Sequence, residues 1–208
     1  ENLLPENIRK KGGSFYTPRS IVNHMCEESI FYYLKEKLND KIEEKILNDF
    51  VCKNKFSIEK NKSIITHANL IDELLKNIKI CDPAIGSGAF TVSMMNLIVR
   101  LRTLISSLAE RKYKNSSYYF KKNCIQNSIY GVDIDDSAVE IAKLRLWLSL
   151  VVDEDDYDKI EPLPNLDFKI VQGNSLLETF ENFKLGDSIF ENVNKIDTLE
   201  DYLGNIST

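Results

Sequence analysis

The sequence predicts an α/β fold: a mostly parallel sheet with helices on both faces, preceded by a helical N-terminal segment. Three observations lead there. The hydrophobic period changes near residue 78, from apolar residues recurring at threes and fours to short apolar runs separated by long amphipathic stretches. The run Ile78–Asp82 opens directly on a glycine loop, CDPAIGSGAF, spanning Cys81 to Phe90. Strand, helix, strand, helix and strand then alternate up to Gln172, which is the order of parallel crossovers.

Each element has its own justification. Residues 20–50 read as helix, because Ile21, Val22, Met25, Ile30, Phe31, Leu34 and Leu38 recur at helical spacing with charges between them. Residues 51–65 read as a polar connector, and 66–77 as an amphipathic helix with Thr66 at its cap. Ile78–Asp82 is the first strand, and Ala89 to about Glu110 a long helix. Asn127–Asp133 is the second strand, and Asp135 and Asp136 cap a helix over Ser137–Val152, where Trp147 reads as core. Leu166–Gln172 is the third strand, with Leu166, Phe168 and Ile170 turned inward and Asp167 and Lys169 outward. The organisation is thus a helical segment at 1–77, an α/β core at 78–175 and an acidic stretch at 176–208.

Bulk properties narrow the class. The chain has 208 residues, 43% hydrophobic and 28% charged, enough for one buried core. No apolar run reaches the roughly 18 residues of a membrane span, so no membrane partner is expected. No signal peptide is visible, and an opening on Glu1 rather than Met reads as a piece of something longer. Cys26, Cys52, Cys81 and Cys124 form no CxxC pair and meet only His24 and His67, so no metal site is expected. They read as reduced thiols of a cytoplasmic protein. The net charge is −5, but residues 151–208 hold 14 acids and 4 bases, leaving the first 150 residues at +5. Residues 100–122 are basic, with Arg100, Arg102, Arg111, Lys112, Lys114, Lys121 and Lys122 interleaved with tyrosines. Such a run is either a solvated helix face and loop or a contact for a phosphate backbone.

In parallel α/β sheets ligands sit beyond the carboxyl ends of the strands. Those ends are Asp82 with its loop, Asp133–Ile134, and Gly173–Asn174–Ser175. A GxxxxGK[ST] phosphate loop fails, because Ala89 and Phe90 follow Gly88. A dinucleotide GxGxxG fails as well: Thr91 stands at the third glycine, and Asp133 lies 45 residues past Gly88 rather than about 20. Asp82 just before the loop would repel a pyrophosphate but suits a cationic ligand. S-adenosylmethionine carries an ammonium and a sulfonium. Glycines let backbone approach its methionine part. Asp133 can accept from both ribose hydroxyls, Ile134 can pack on adenine, and Asn174 can accept from the adenine amino group.

Four blocks carry a family resemblance: GGSFYTPRSIVNHM (12–25), CDPAIGSGAF (81–90), IYGVDIDDSAVEIAKLRLWLSL (129–150) and LDFKIVQGNSL (166–176). Together they resemble the amino-methylating DNA adenine methyltransferases, above all the type IIG restriction–modification enzymes and related phage-defence methyltransferases. The resemblance implies a Rossmann-like S-adenosylmethionine-dependent methyltransferase fold and double-stranded DNA as partner. It places Tyr16, Thr17 and Pro18 over the cofactor's methionine end, with Asp82, Pro83, Ala84, Gly86, Ser87 and Gly88 beneath it. Asp133 and Ile134 would hold ribose and adenine, and Asn174 and Ser175 the adenine edge. Members usually carry Asp where this chain has Asn174.

The family's catalytic Asn-Pro-Pro-Tyr accepts hydrogens from the target amine and stacks on a flipped-out adenine. Here the prolines are Pro5, Pro18, Pro83, Pro162 and Pro164, with no adjacent pair. No catalytic residue is therefore assigned in this chain. The expectation is a cofactor-binding portion whose catalytic motif and recognition domain lie beyond Thr208, inactive alone and prone to self-association through an unpaired sheet edge. The alternatives are a methyltransferase acting on RNA or a small molecule, or a non-catalytic nucleotide-binding domain. Asp167-Phe168-Lys169 has the D-x-K spacing of metal-dependent nucleases, but strand alternation explains it more simply.

Overall fold

A computed structural model describes residues 17–53, 62–108, 116–152, 162, 165–177, 179–180 and 183–184. The chain divides into two compact units, residues 1–173 and 174–208.

The described part of the first unit opens with helices. In α1, Arg19–Leu38, the seam Val22, Cys26, Ile30, Phe31, Leu34 and Leu38 is buried, a spacing of threes and fours that faces one core. The single helix expected over 20–50 is in fact two. Asn39 and Asp40 turn the chain with φ of 45° and 56°, a left-handed conformation these two residue types tolerate. α2, Glu44–Cys52, then begins. Ile42, Leu47 and Phe50 are still buried, so the apolar rhythm runs through the break and conceals it.

α3, Lys62–Thr66, occupies part of the expected connector. The Thr66 hydroxyl donates back to the Lys62 carbonyl at 2.9 Å. Thr66 therefore closes α3, and His67 takes the cap position of α4, Ala68–Asn77.

β1 is Ile80–Asp82 and α5 is Ala89–Leu108. α5 packs against α1, α4 and the helices over Ser116–Asn127 and Asp136–Val151, with Met94, Met95, Ile98, Leu101 and Ile105 buried. Its Ala89–Ser107 window, 19 residues of mean hydropathy 1.2, is long and apolar enough to cross a membrane by length and composition. Arg100 and Arg102 interrupt it, so no uninterrupted apolar run reaches that length. Half of the window is buried inside the fold.

α6, Ser116–Asn127, was not expected. Three cations of the basic segment, Arg100, Arg102 and Lys121, turn inward, which corrects the solvated-face reading for them. Arg100 donates to the carbonyls of Val51 and Lys53 at the end of α2. Arg102, 3% exposed, donates to Asp72 at 2.8 Å and lies 4.2 Å from the Phe120 ring centroid. Lys121 donates to the Ser149 carbonyl at 2.8 Å. Arg111, Lys112 and Lys114 lie outside the described residues.

β2 is Ile129–Asp133, α7 is Asp136–Val151 and β3 is Ile170–Gln172. The sheet order is β1-β2-β3, all parallel, with Ile80 opposite Ile129, Asp82 opposite Gly131 and Asp133 opposite Gln172. α6 and α7 pack on it. One face holds the buried Ile80, Ile129 and Ile170, while Cys81, Tyr130, Val132 and Val171 on the opposite face stay partly exposed. Among the described residues the expected two-sided covering is therefore one-sided.

The third strand is also shorter than expected. Lys169 and Ile170 N–H groups both donate to the Leu166 carbonyl at 2.9 Å, so Leu166–Lys169 is a turn and Phe168 is 91% exposed. Asp167 sits 3.6 Å from Lys143, and Lys169 lies over the Tyr130 ring. Trp147 is only partly buried, and Ile141, Leu144 and Leu148 on the outer side of α7 are exposed. Apolar residues thus lie on the outer side of the helix as well as on its buried side, so periodicity alone could not select the buried face. The second unit contains a short antiparallel ribbon, β4 Thr179–Phe180 with β5 Phe183–Lys184.

Candidate functional site

The register explains why two carboxylates share one face of the sheet. Successive strand residues alternate faces, so Asp82, Gly131, Asp133 and Gln172 share the face that carries Ile80, Ile129 and Ile170. Opposite Asp82 stands Gly131. A Cβ there would collide with Ile85 Cδ1. The missing side chain leaves room for Ile85, 3% exposed, to plug the loop onto the sheet. The Ile85 N–H donates to the Val132 carbonyl at 3.0 Å.

The loop is then fixed from both sides. Asp82 Oδ1 accepts the Ala84 N–H at 3.1 Å. The Gly86 N–H donates to Asp133 Oδ2 at 2.7 Å, and the Asp135 N–H to Asp133 Oδ1 at 3.0 Å. Asp135 Oδ1 accepts the Ser137 N–H and caps α7 as expected. Gly86 and Gly88 have φ of 52° and 79°, values that favour glycine. A Cβ on Gly88 would lie 3.2 Å from Ala142 Cβ and 3.3 Å from Ala142 Cα, so this glycine lets the loop rest on α7.

Asp82, Pro83, Ala84, Gly86, Ser87, Gly88 and Asp133 are thus brought together at the carboxyl ends of β1 and β2. Ile134 follows Asp133 and is 67% exposed, with its carbonyl accepting from Gln172 Nε2 at 3.2 Å. Thr17 and Pro18 are exposed at the start of α1, where the Pro18 carbonyl accepts the Ile21 and Val22 N–H groups. Farther along α1, Cys26 Sγ lies 3.8 Å from the Phe90 carbonyl, just past the loop. Burial pushes the Cys26 thiol up to about 12, with the charges of Glu27 and Asp82 adding to the effect. Tyr16 lies outside the described residues. Asn174 and Ser175 belong to the second unit. There Asn174 Oδ1 accepts the Leu176 N–H at 3.0 Å in a local turn. Sequence reasoning missed Ile85, Gly131, Ala142 and Arg145, whose roles depend on who faces whom across the fold.

The site is electronegative. Burial raises the Asp82 carboxyl above its ordinary value, the Ala84 N–H opposes the rise and the charge of Asp133 adds to it. Neither carboxylate has an ion pair among the described residues. Because the folded-state value is raised, protonating Asp82 favours the fold, and that contribution is lost as pH rises through the raised value. Asp82→Asn is therefore expected to raise the melting temperature of the unliganded chain at neutral pH. The advantage should vanish as pH falls into the carboxylate range, where wild-type Asp82 is already protonated. Thermal melts across that range check it.

The comparisons bear on this site. Residues 57–185 match the family model of the MmeI DNA-methyltransferase domain. Across 85% of the chain the sequence is 36% identical to a Methanocaldococcus jannaschii protein that carries the name of a type II restriction enzyme and methyltransferase. Across 84% it is 23% identical to the adenine-specific methyltransferase PglX of Lacticaseibacillus casei. It is 32% identical over 89 residues, 39% of the chain, to DNA methyltransferase A of Bacillus subtilis. The chain spans 15%, 14% and 9% of the length of these relatives. No solved structure matches it significantly. The matched region holds the paired carboxylates, the glycine loop and the helix beneath it, and the chain belongs to the MmeI DNA-methyltransferase domain family.

Proposed function

We propose that this chain is the S-adenosylmethionine-binding portion of a site-specific DNA adenine-N6 methyltransferase of restriction–modification or phage-defence type. The observation that carries the reading is the pair Asp82 and Asp133, set on either side of a glycine loop with no ion pair among the described residues. A cation placed there relieves the repulsion, and a polyphosphate would increase it.

The residues fit the cofactor. Its ammonium and sulfonium would lie toward Asp82 and the backbone of Gly86–Gly88. Asp133 keeps lone pairs free for two ribose hydroxyls, because a carboxylate offers about four acceptor positions and two are taken by Gly86 and Asp135. Ile134, exposed at the strand end, would pack on the adenine. When bound, the cofactor supplies an electrophilic methyl group on sulfur. This chain's residues would bind and orient it, with both carboxylates facing its charge. The amine-accepting Asn-Pro-Pro-Tyr is not in this sequence. It and the surface that reads DNA would come from other parts of a longer protein, as the length of the relatives supports. Adenine as the target base follows the naming of PglX and the type IIG resemblance.

Calorimetric titration of the purified chain tests this. S-adenosylmethionine and S-adenosylhomocysteine should bind, and NAD should not. Binding of NAD in preference, or no binding by a folded chain, would overturn the reading. Activity on duplex DNA, RNA or a small methyl acceptor is then measured on a protein that includes an Asn-Pro-Pro-aromatic motif.

A further inference from the structure

Ser87 stands between the two left-handed glycines, and one guanidinium holds it from the side. Arg145 Nη1 lies 3.1 Å from the Ser87 carbonyl oxygen and 3.0 Å from Ser87 Oγ. Arg145 is three residues past Ala142, the residue that Gly88 packs on, so both contacts come from one face of α7. At the other end of that helix, the cap residue Asp135 donates its N–H to Asp133, and Asp133 accepts from Gly86. The bonds close a ring through Asp133, Asp135, α7, Arg145, Ser87 and Gly86. Thr91 lies four residues past Ser87, where a helical hydroxyl could bond the Ser87 carbonyl. Its Oγ1 is buried and makes no bond among the described residues, which leaves Arg145 as the side-chain restraint on that carbonyl.

We propose that Arg145 is a positioning residue for the amino-acid end of the cofactor. It acts through Ser87, holding the loop backbone at the height where the methionine portion rests. The nucleoside end is held separately by Asp133 and Ile134. The inference depends on the S-adenosylmethionine reading above and refines it: the two halves of the ligand answer to two different restraints.

A residue that merely stabilised the fold would affect every ligand alike. A loop-positioning residue affects only ligands that reach the loop. The test is calorimetric titration of the wild-type chain and Arg145→Met with three ligands: S-adenosylmethionine, S-adenosylhomocysteine and 5′-methylthioadenosine, which lacks the amino-acid portion. Thermal melts are recorded alongside. The two amino-acid ligands should bind Arg145→Met about tenfold more weakly, because the lost contacts are charge-assisted but solvent-exposed. The affinity for 5′-methylthioadenosine should not change. Equal losses for all three ligands, or no loss for any, overturn the inference. If Arg145→Met does not fold, Arg145→Gln is titrated instead, and the same split or its absence decides. Wild-type chain that takes none of the three overturns the cofactor reading itself. Wild-type binding with no ligand split in the variant overturns this inference alone.

Discussion

Asp133→Ala is expected to weaken S-adenosylmethionine binding about a hundredfold and, at the same time, to destabilise the unliganded chain. Two hydrogen bonds from ribose hydroxyls to a charged acceptor are worth about 1.5 kcal/mol each at the lower end of their range. Together they amount to about 3 kcal/mol, or about two decades in affinity. The same carboxylate receives the Gly86 and Asp135 N–H groups at 2.7 and 3.0 Å. Asp135 is exposed, and its amide can turn to water. Gly86 is partly buried, and an unmet amide there costs about 1–2 kcal/mol. Calorimetry gives the first effect and urea unfolding the second. A folded Asp133→Ala chain that binds S-adenosylmethionine as tightly as wild type would remove Asp133 from the site.

Gly88→Ala should be the more damaging of the two loop-glycine substitutions, with a loss of about 3 kcal/mol. An L-residue forced to a φ of 79° costs about 1–2 kcal/mol. The added Cβ would also press on both Cβ and Cα of the fully buried Ala142. Relief requires the backbone of α7 to move, and overpacking of that kind costs typically 1–3 kcal/mol. Gly86→Ala has the left-handed φ of 52° but nothing within 4 Å of its Cβ. Its loss should stay near 1 kcal/mol. The double variant Gly88→Ala/Ala142→Gly removes the contact with Cβ but not the one with Cα at 3.3 Å, and a glycine inside α7 costs about 1 kcal/mol of its own, so it should recover little of the loss. Denaturant midpoints for the four chains separate the two causes. Equal losses at Gly86 and Gly88 would show that contact with α7 contributes nothing.

The sequence by itself determined the features that depend on neighbours along the chain. The glycine loop after a short apolar run, the acid at the end of β2 and the Asp135 cap of α7 are local patterns, and each stands where it was expected. The helix expected over Ala89 to about Glu110 is α5, described over Ala89–Leu108. The four motif blocks pointed to the methyltransferase family that the comparisons show.

Tertiary structure decided what depends on facing partners. The Asn39–Asp40 break was concealed because the residues after it remain apolar toward the same core. The first half of LDFKIVQ alternates like a strand, yet it folds as a turn, with Ile170 and Lys169 both bonded to Leu166 and Phe168 in solvent. The basic segment looked solvated until Arg102 found Asp72 and Phe120, residues 30 and 18 positions away. Nothing near Arg145 in the sequence marks it, because its partner Ser87 lies 58 residues earlier. Spacing along the chain reports which side of a helix or strand a residue lies on. Only the packed fold determines what stands opposite, and hydrogen bonds, ion pairs and close backbone contacts are made there.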